Sequence, residues 1–188
     1  MKHSELNLFK EKGQKITCLT AYDASIAKLI DSAGVDIILI GDSLGMVIQG
    51  NENTQSVLMK DMLYHTKIVA KACEQSLVIA DMPFNSYDDP QTALFNAKEL
   101  IKSGASMVKI EGGVENTEVI KTLVLNNINV CGHLGLQPQL IVDASGYRVQ
   151  GQDEKSAQLI IDNAKSVSYT HLRAHETPEH LVCRLLLE

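Results

Sequence analysis

Three short stretches of this chain end an apolar run in charged side chains. In Ile40-Gly41-Asp42-Ser43-Leu44-Gly45 the run gives way to a carboxylate, a hydroxyl and two glycines that let the backbone approach a ligand closely. In Ala80-Asp81-Met82-Pro83-Phe84 a second carboxylate ends a run, and Pro83 turns Met82 away from helical geometry. Both have a plain structural reading beside the chemical one, since Asp-Ser makes a good helix N-cap or turn and Asp81 a good turn. The third stretch, Val108-Lys109-Ile110-Glu111-Gly112-Gly113, is sharper. Residues i and i+2 of a strand share a face, so Lys109 and Glu111 enter the same space. Charges flanked by apolar residues must be paired, or bound to a ligand or metal, because an isolated buried charge is too costly to keep. If Asp42 and Asp81 reach that space, three carboxylates converge and favour a cation. Oxygen ligands without nearby cysteine or clustered histidine point to a hard divalent ion, Mg2+ first. A 2-oxo acid could fill two of its positions. The ion would then act as a Lewis acid, stabilising the enolate formed when a proton leaves C3, with Lys109 offsetting the substrate's negative charge.

The elements that must position these groups follow from hydrophobic period. Short β-branched runs at 16–20, 35–40, 77–80, 107–110 and 128–131 are predicted strands. Between them, 23–32, 60–74, 91–103 and 115–126 carry apolar residues at helical spacing. Gly34 and Gly104 stand where left-handed C-caps are expected. Strands apolar on both faces and separated by helices imply a parallel sheet, either open and doubly wound or closed into a barrel. Asp42, Asp81 and Glu111 each follow a different strand, and in a barrel those ends converge on the mouth where the active site lies. Asp23 could face that mouth or cap the next helix, with capping the stronger reading. His65 is expected to pack on a helix, while His133, at a strand's end, is placed to meet substrate.

A net charge of -6 without any basic run argues against nucleic-acid and anionic-membrane partners. No apolar stretch reaches the ~18 residues of a membrane span, and the polar start lacks a signal-peptide core, so a cytoplasmic setting is expected. Four dispersed cysteines, Cys18, Cys73, Cys131 and Cys183, read as buried thiols rather than a zinc or redox site. From about Ser166 the text changes character and resembles a foreign translated segment. Residues 166–188 are therefore taken as a non-native tail, with 1–165 as the catalytic domain. His171 and His175 have i, i+4 spacing within it, but coincidence is the better reading than a metal site.

Seven stretches, in order and at suitable spacing, resemble the ketopantoate hydroxymethyltransferase family. They are Thr20-Ala21-Tyr22-Asp23, Gly41-Asp42-Ser43-Leu44-Gly45-Met46, Val47-Ile48-Gln49-Gly50, Tyr64-His65-Thr66, Ala80-Asp81-Met82-Pro83-Phe84, Met107 through Gly113, and Cys131 through Gln139. Gly146 to Gly151 fits the family's loop after the fifth strand. The resemblance implies a (β/α)8 TIM barrel, here truncated after about five strands. It also implies transfer of a hydroxymethyl group from 5,10-methylenetetrahydrofolate to 3-methyl-2-oxobutanoate, giving 2-dehydropantoate for pantothenate and coenzyme A, through a metal-stabilised enolate. Asp42, Asp81 and Glu111 map onto the metal-facing acids around Mg2+, and Asp42, Ser43, Asp81 and Lys109 onto the substrate-binding groups. A homo-oligomer is implied as well. The family's general base is a glutamate after the sixth strand, expected beyond residue 165, so no catalytic base is assigned, and Glu176 and Glu179 do not take that role. An inactive fragment, or another metal-dependent oxo-acid lyase or mutase barrel, is the alternative.

Overall fold

The computed structural model describes residues 5–142 and 146–171. Seven helices and five strands alternate along them. The order is α1 (Leu6–Glu11), β1 (Cys18–Thr20), α2 (Ala24–Ser32), β2 (Ile37–Ile40), α3 (Leu44–Val47), α4 (Met59–Ala72), β3 (Leu77–Asp81), α5 (Pro90–Lys102), β4 (Met107–Glu111), α6 (Thr117–Leu125), β5 (Val130–His133) and α7 (Glu154–His171). All five predicted strands and four predicted helices are present. The short helices α1 and α3 carry too few residues to show a helical period and were not expected.

The sheet is parallel throughout, in the order β1-β2-β3-β4-β5. Each crossover moves one strand in the same direction. A doubly wound sheet reverses direction at a switch point. The unbroken order is instead an arc of a β/α barrel, the choice that periodicity alone left open.

The two faces of the sheet differ. Ile38, Ile40, Val78, Ala80, Val108 and Ile110 point outward and pack with Met62, Val69, Ala97, Leu100, Ile120 and Leu123 from the helices. Burying side chains of this size stabilises the fold by about 1.5–3 kcal/mol each. The alternate positions Ile37, Leu77, Ile79 and Met107 face the barrel interior, where Leu6 of α1 closes the floor. Continuing that inner register upward gives Leu77, Ile79, Asp81 and Met107, Lys109, Glu111. An apolar floor therefore supports a charged mouth.

Local chemistry fixes the helix ends. Asp23 caps α2, accepting from the N–H groups of Ser25 at 2.8 Å and Ile26 at 2.9 Å, so capping is its role. Asp89 does the same for α5 ahead of Pro90. Gly34 and Gly104 have φ of +79° and +113°, the caps expected of them. Gly104 is required twice over, because a Cβ there would lie 2.5 Å from that of Ala70 on α4.

Cysteine placement departs from expectation. Cys18 is exposed and Cys73 and Cys131 are half-buried, because β1 pairs on one side only and its three residues stay exposed; Cys183 lies outside the described residues. The boundary expected between 165 and 166 falls inside α7, which continues to His171 and buries Val167 in the main core. His175, Glu176, Glu179 and His180 also lie outside the described residues. Among the described residues no helix is long and apolar enough to cross a membrane.

One buried carboxylate ties the outer layer to the sheet. Asp31 of α2 accepts from the N–H groups of Glu74 and Gln75 at 3.0 Å and Ser76 at 2.7 Å, all in the turn entering β3. Burial pushes its pKa up, but these donors outweigh it and hold the acid at about 2. Asp31→Ala is expected to cost about 3 kcal/mol by leaving three donors unpaired. The loss should appear as a lower urea midpoint at unchanged slope. Because the folded pKa is depressed, the difference should close as pH falls from about 4 towards 2. Equal midpoints at neutral pH would mean that water satisfies the turn.

Candidate metal and oxo-acid site

Strand register brings the charged residues together. Asp81 lies beside Lys109 across β3 and β4, and Glu111 beside His133 across β4 and β5. Register partners share a face, so these four side chains and the i+2 pair Lys109/Glu111 occupy one space. Asp42, two residues beyond β2, reaches it because its backbone N–H donates to Asp81 Oδ2 at 3.1 Å. Gly41 allows that approach, since a Cβ there would come within 2.9 Å of Ser43 Oγ.

Lys109 is the hub. Its Nζ is 3.1 Å from Asp81 Oδ1 and 3.4 Å from Glu111 Oε1. His133 Nδ1 donates to Glu111 Oε1 at 2.9 Å, and the backbone N–H of Gln139 donates to Glu111 Oε2 at 3.1 Å. Asp42, Asp81, Lys109 and Glu111 are all buried. Burial pushes Asp42 up to about 7, aided by the charge of Asp81. Burial likewise raises Asp81, against the pull of Lys109. Glu111 is opposite in sign: burial would raise it, but the His133 hydrogen bond and Lys109 together hold it below the usual carboxylate range. Burial would lower Lys109, yet Asp81, Glu111 and Asp42 keep it firmly protonated. The lysine therefore balances roughly one carboxylate, and the surplus negative charge collects on Asp42 and Asp81.

This surplus makes Asp42 and Asp81 fit a hard cation. Their donors are carboxylate oxygens. Oδ1 of Asp81 is fully buried and faces the Lys109 ammonium at 3.1 Å. Glu111 draws more donors than Asp42 or Asp81, from His133, Lys109 and the Gln139 backbone. Among the described residues no three His, Cys, Asp or Glu side chains are grouped at metal-binding spacing. The three acids grouped by the sequence lie together at one strand-end cluster, with Glu111 the most heavily hydrogen-bonded of them.

Ser43 does not cap α3 through its side chain; its Oγ lies 2.7 Å from the Tyr22 hydroxyl. His65 Nδ1 donates to the Tyr22 carbonyl at 2.6 Å, the packing role expected of it. His133 is at the mouth, bonded to Glu111. Two residues in the site escaped sequence reasoning. Gln139 Nε2 donates to Asp42 Oδ2 at 2.7 Å, and the Tyr87 hydroxyl donates to Gln139 Oε1 at 2.5 Å with the Glu111 carbonyl 3.3 Å away. Tyr87 lies on a loop and Gln139 in a single 3-10 turn, Pro138–Leu140, both too short for a period to mark which side chains turn inward. A cavity of about 190 Å³ opens beside them, lined in part by Phe84, Glu115, Asn116 and Leu140.

A family described as ketopantoate hydroxymethyltransferase matches residues 1–171. The 3-methyl-2-oxobutanoate hydroxymethyltransferase of Vesicomyosocius okutanii is 56% identical over 163 residues, covering 87% of this chain and 63% of its own length. That of Shewanella loihica is 50% identical over 164 residues, covering 87% and 62%. The chain thus spans less than two thirds of these relatives. Among solved structures, phosphoenolpyruvate phosphomutase from Streptomyces platensis superposes with a TM-score of 0.68 at 14% identity, covering 90% of this chain and 61% of that one. A 2,3-dimethylmalate lyase of the PEP mutase/isocitrate lyase superfamily gives 0.62 at 15% identity, with coverage of 90% and 59%. The distant structures share the barrel fold, while the sequence match is far more specific: this chain belongs to the ketopantoate hydroxymethyltransferase family.

Proposed function

We propose that this chain carries the cation- and oxo-acid-binding part of a 3-methyl-2-oxobutanoate hydroxymethyltransferase. In that reaction 5,10-methylenetetrahydrofolate supplies the carbon, water supplies the hydroxyl oxygen, and C3 of 3-methyl-2-oxobutanoate exchanges its hydrogen for hydroxymethyl. The products are 2-dehydropantoate, a precursor of pantothenate and coenzyme A, and tetrahydrofolate. The observation that carries this reading is the buried, negatively unbalanced group of Asp42, Asp81, Lys109 and Glu111 at the ends of three adjacent strands.

Asp42 and Asp81 would hold the cation, with Mg2+ favoured by the all-oxygen donor set. When bound, it supplies Lewis-acid polarisation of the oxo group, which acidifies the C3 hydrogen. Lys109 offers its ammonium to the oxo acid and offsets negative charge gathering on the oxo oxygen. Glu111 keeps Lys109 in place and protonated, with His133 bonded behind it. Ser43, held by Tyr22, presents a hydroxyl to the substrate's oxygens. None of these acids doubles as the base that takes the C3 proton, since each is committed to the cation or to Lys109.

Calorimetric titration with MgCl2 in the presence of 3-methyl-2-oxobutanoate tests the assignment. Asp42→Asn and Asp81→Asn should each weaken Mg2+ binding by about tenfold or more; parent-like affinity in both would refute it. Any 2-dehydropantoate formed should require the methylene folate, and product formed without it would point to different chemistry.

The raised Asp42 pKa sets a pH dependence. Its folded pKa exceeds the usual carboxylate value, so stability from its protonation is complete below about pH 4 and lost as pH rises through about 7. Glu111, shifted downward, acts below this window. Mg2+ affinity should therefore rise steeply between pH 5.5 and 8, because the ion must displace that proton, and the rise should be much shallower in Asp42→Asn. Parallel profiles for the two proteins would contradict the role given to Asp42.

A further inference from the structure

Resting on the reading above, we infer that Gln139 is a positioning residue of the cation site. It holds the Asp42 carboxylate in place through its side chain and one oxygen of Glu111 through its backbone. Gln139 is 1% exposed, and every polar group it has is engaged. Nε2 donates to Asp42 Oδ2 at 2.7 Å and to the Met82 carbonyl at 2.9 Å. Oε1 accepts from the Tyr87 hydroxyl at 2.5 Å, the backbone N–H donates to Glu111 Oε2 at 3.1 Å, and the carbonyl accepts from Gln55 Nε2 at 3.0 Å.

The orientation of the amide is dictated by its neighbours. A carbonyl can only accept, so the end facing Met82 must be the NH2. That same NH2 then donates to Asp42 Oδ2 and fixes how the carboxylate is turned. At the other end of the residue, the main-chain N–H takes Glu111 Oε2 while His133 and Lys109 take Oε1. One residue thus ties two of the three carboxylates to the same loop and would hold Asp42 in position for a cation. Tyr87 sets the amide's direction, because its hydroxyl needs the oxygen end as acceptor.

The test is calorimetric titration of the full chain with MgCl2, comparing the parent with Gln139→Met, Tyr87→Phe and Gln55→Met, each paired with a thermal melt. Gln139→Met keeps the volume and removes the donors, and it should weaken Mg2+ binding about tenfold, the scale of one hydrogen bond to a charged group. Tyr87→Phe should weaken it in the same direction by a smaller factor. Gln55→Met unhooks the same loop without touching a carboxylate, so it should lower the melting temperature and leave affinity within about twofold. Unchanged or tighter binding in Gln139→Met would overturn the inference. So would equal weakening in Gln55→Met, since Gln139 would then act only by anchoring the loop. If Gln139→Met does not fold, Tyr87→Phe decides, and parent-like affinity there is the overturning result. Failure of the parent itself to bind Mg2+ would refute the proposed function, and this inference with it.

Discussion

The constraint on which the rest of this structure depends is an imbalance of charge. Three buried carboxylates share one buried ammonium at the end of a parallel sheet. Removing one partner from such a group leaves a charge without compensation, which is far costlier than never having buried it. The fold answers in two ways. Hydrogen bonds from His133 and the Gln139 backbone settle Glu111, and the proton affinity of Asp42 and Asp81 rises until part of the charge can be given up. The second answer is incomplete at neutral pH, and it is what makes the pair receptive to a divalent cation.

Such a cluster needs a rigid support. Side chains on neighbouring strands are held in register by the backbone ladder, so Asp81, Lys109, Glu111 and His133 are placed by main-chain hydrogen bonds, such as those accepted by the Lys109 and His133 carbonyls. Beneath them Leu77, Ile79, Met107 and Leu6 form an apolar floor. Low polarity below the cluster strengthens each attraction within it and raises the cost of each unpaired charge. Sites on strand ends gain accuracy from this arrangement, whereas Gln139 and Tyr87 reach theirs from a 3-10 turn and a loop and require bonds to several partners.

Much of this was legible in the residues. Alternation of β-branched runs with helical periods located the strands, and the i, i+2 spacing of Lys109 and Glu111 placed both on one face. Asp23 and Gly104 announced helix ends because capping is local chemistry. The direction of the sheet order was not legible, since open and closed parallel sheets use the same periods. Neither was α1, a six-residue helix whose burial depends on Leu6 finding the barrel floor. Asp31 read as one more polar residue on α2, yet its partners lie more than forty positions away. Gln139 was hidden for the same reason, because its importance comes from Asp42, 97 positions distant.

Lys109→Met offers the most direct test of the charge imbalance, read by thermal melting at pH 8 and pH 5 with and without Mg2+. Removing the ammonium should cost about 3–5 kcal/mol at pH 8, a fall in melting temperature on the order of 10 °C. Most of that loss should be recovered at pH 5, where Asp42 and Asp81 take up protons, or on adding Mg2+ at pH 8. A variant that melts with the parent at pH 8, or whose loss is the same at pH 5 and with Mg2+, would contradict a shared, under-compensated negative charge at the mouth of this barrel.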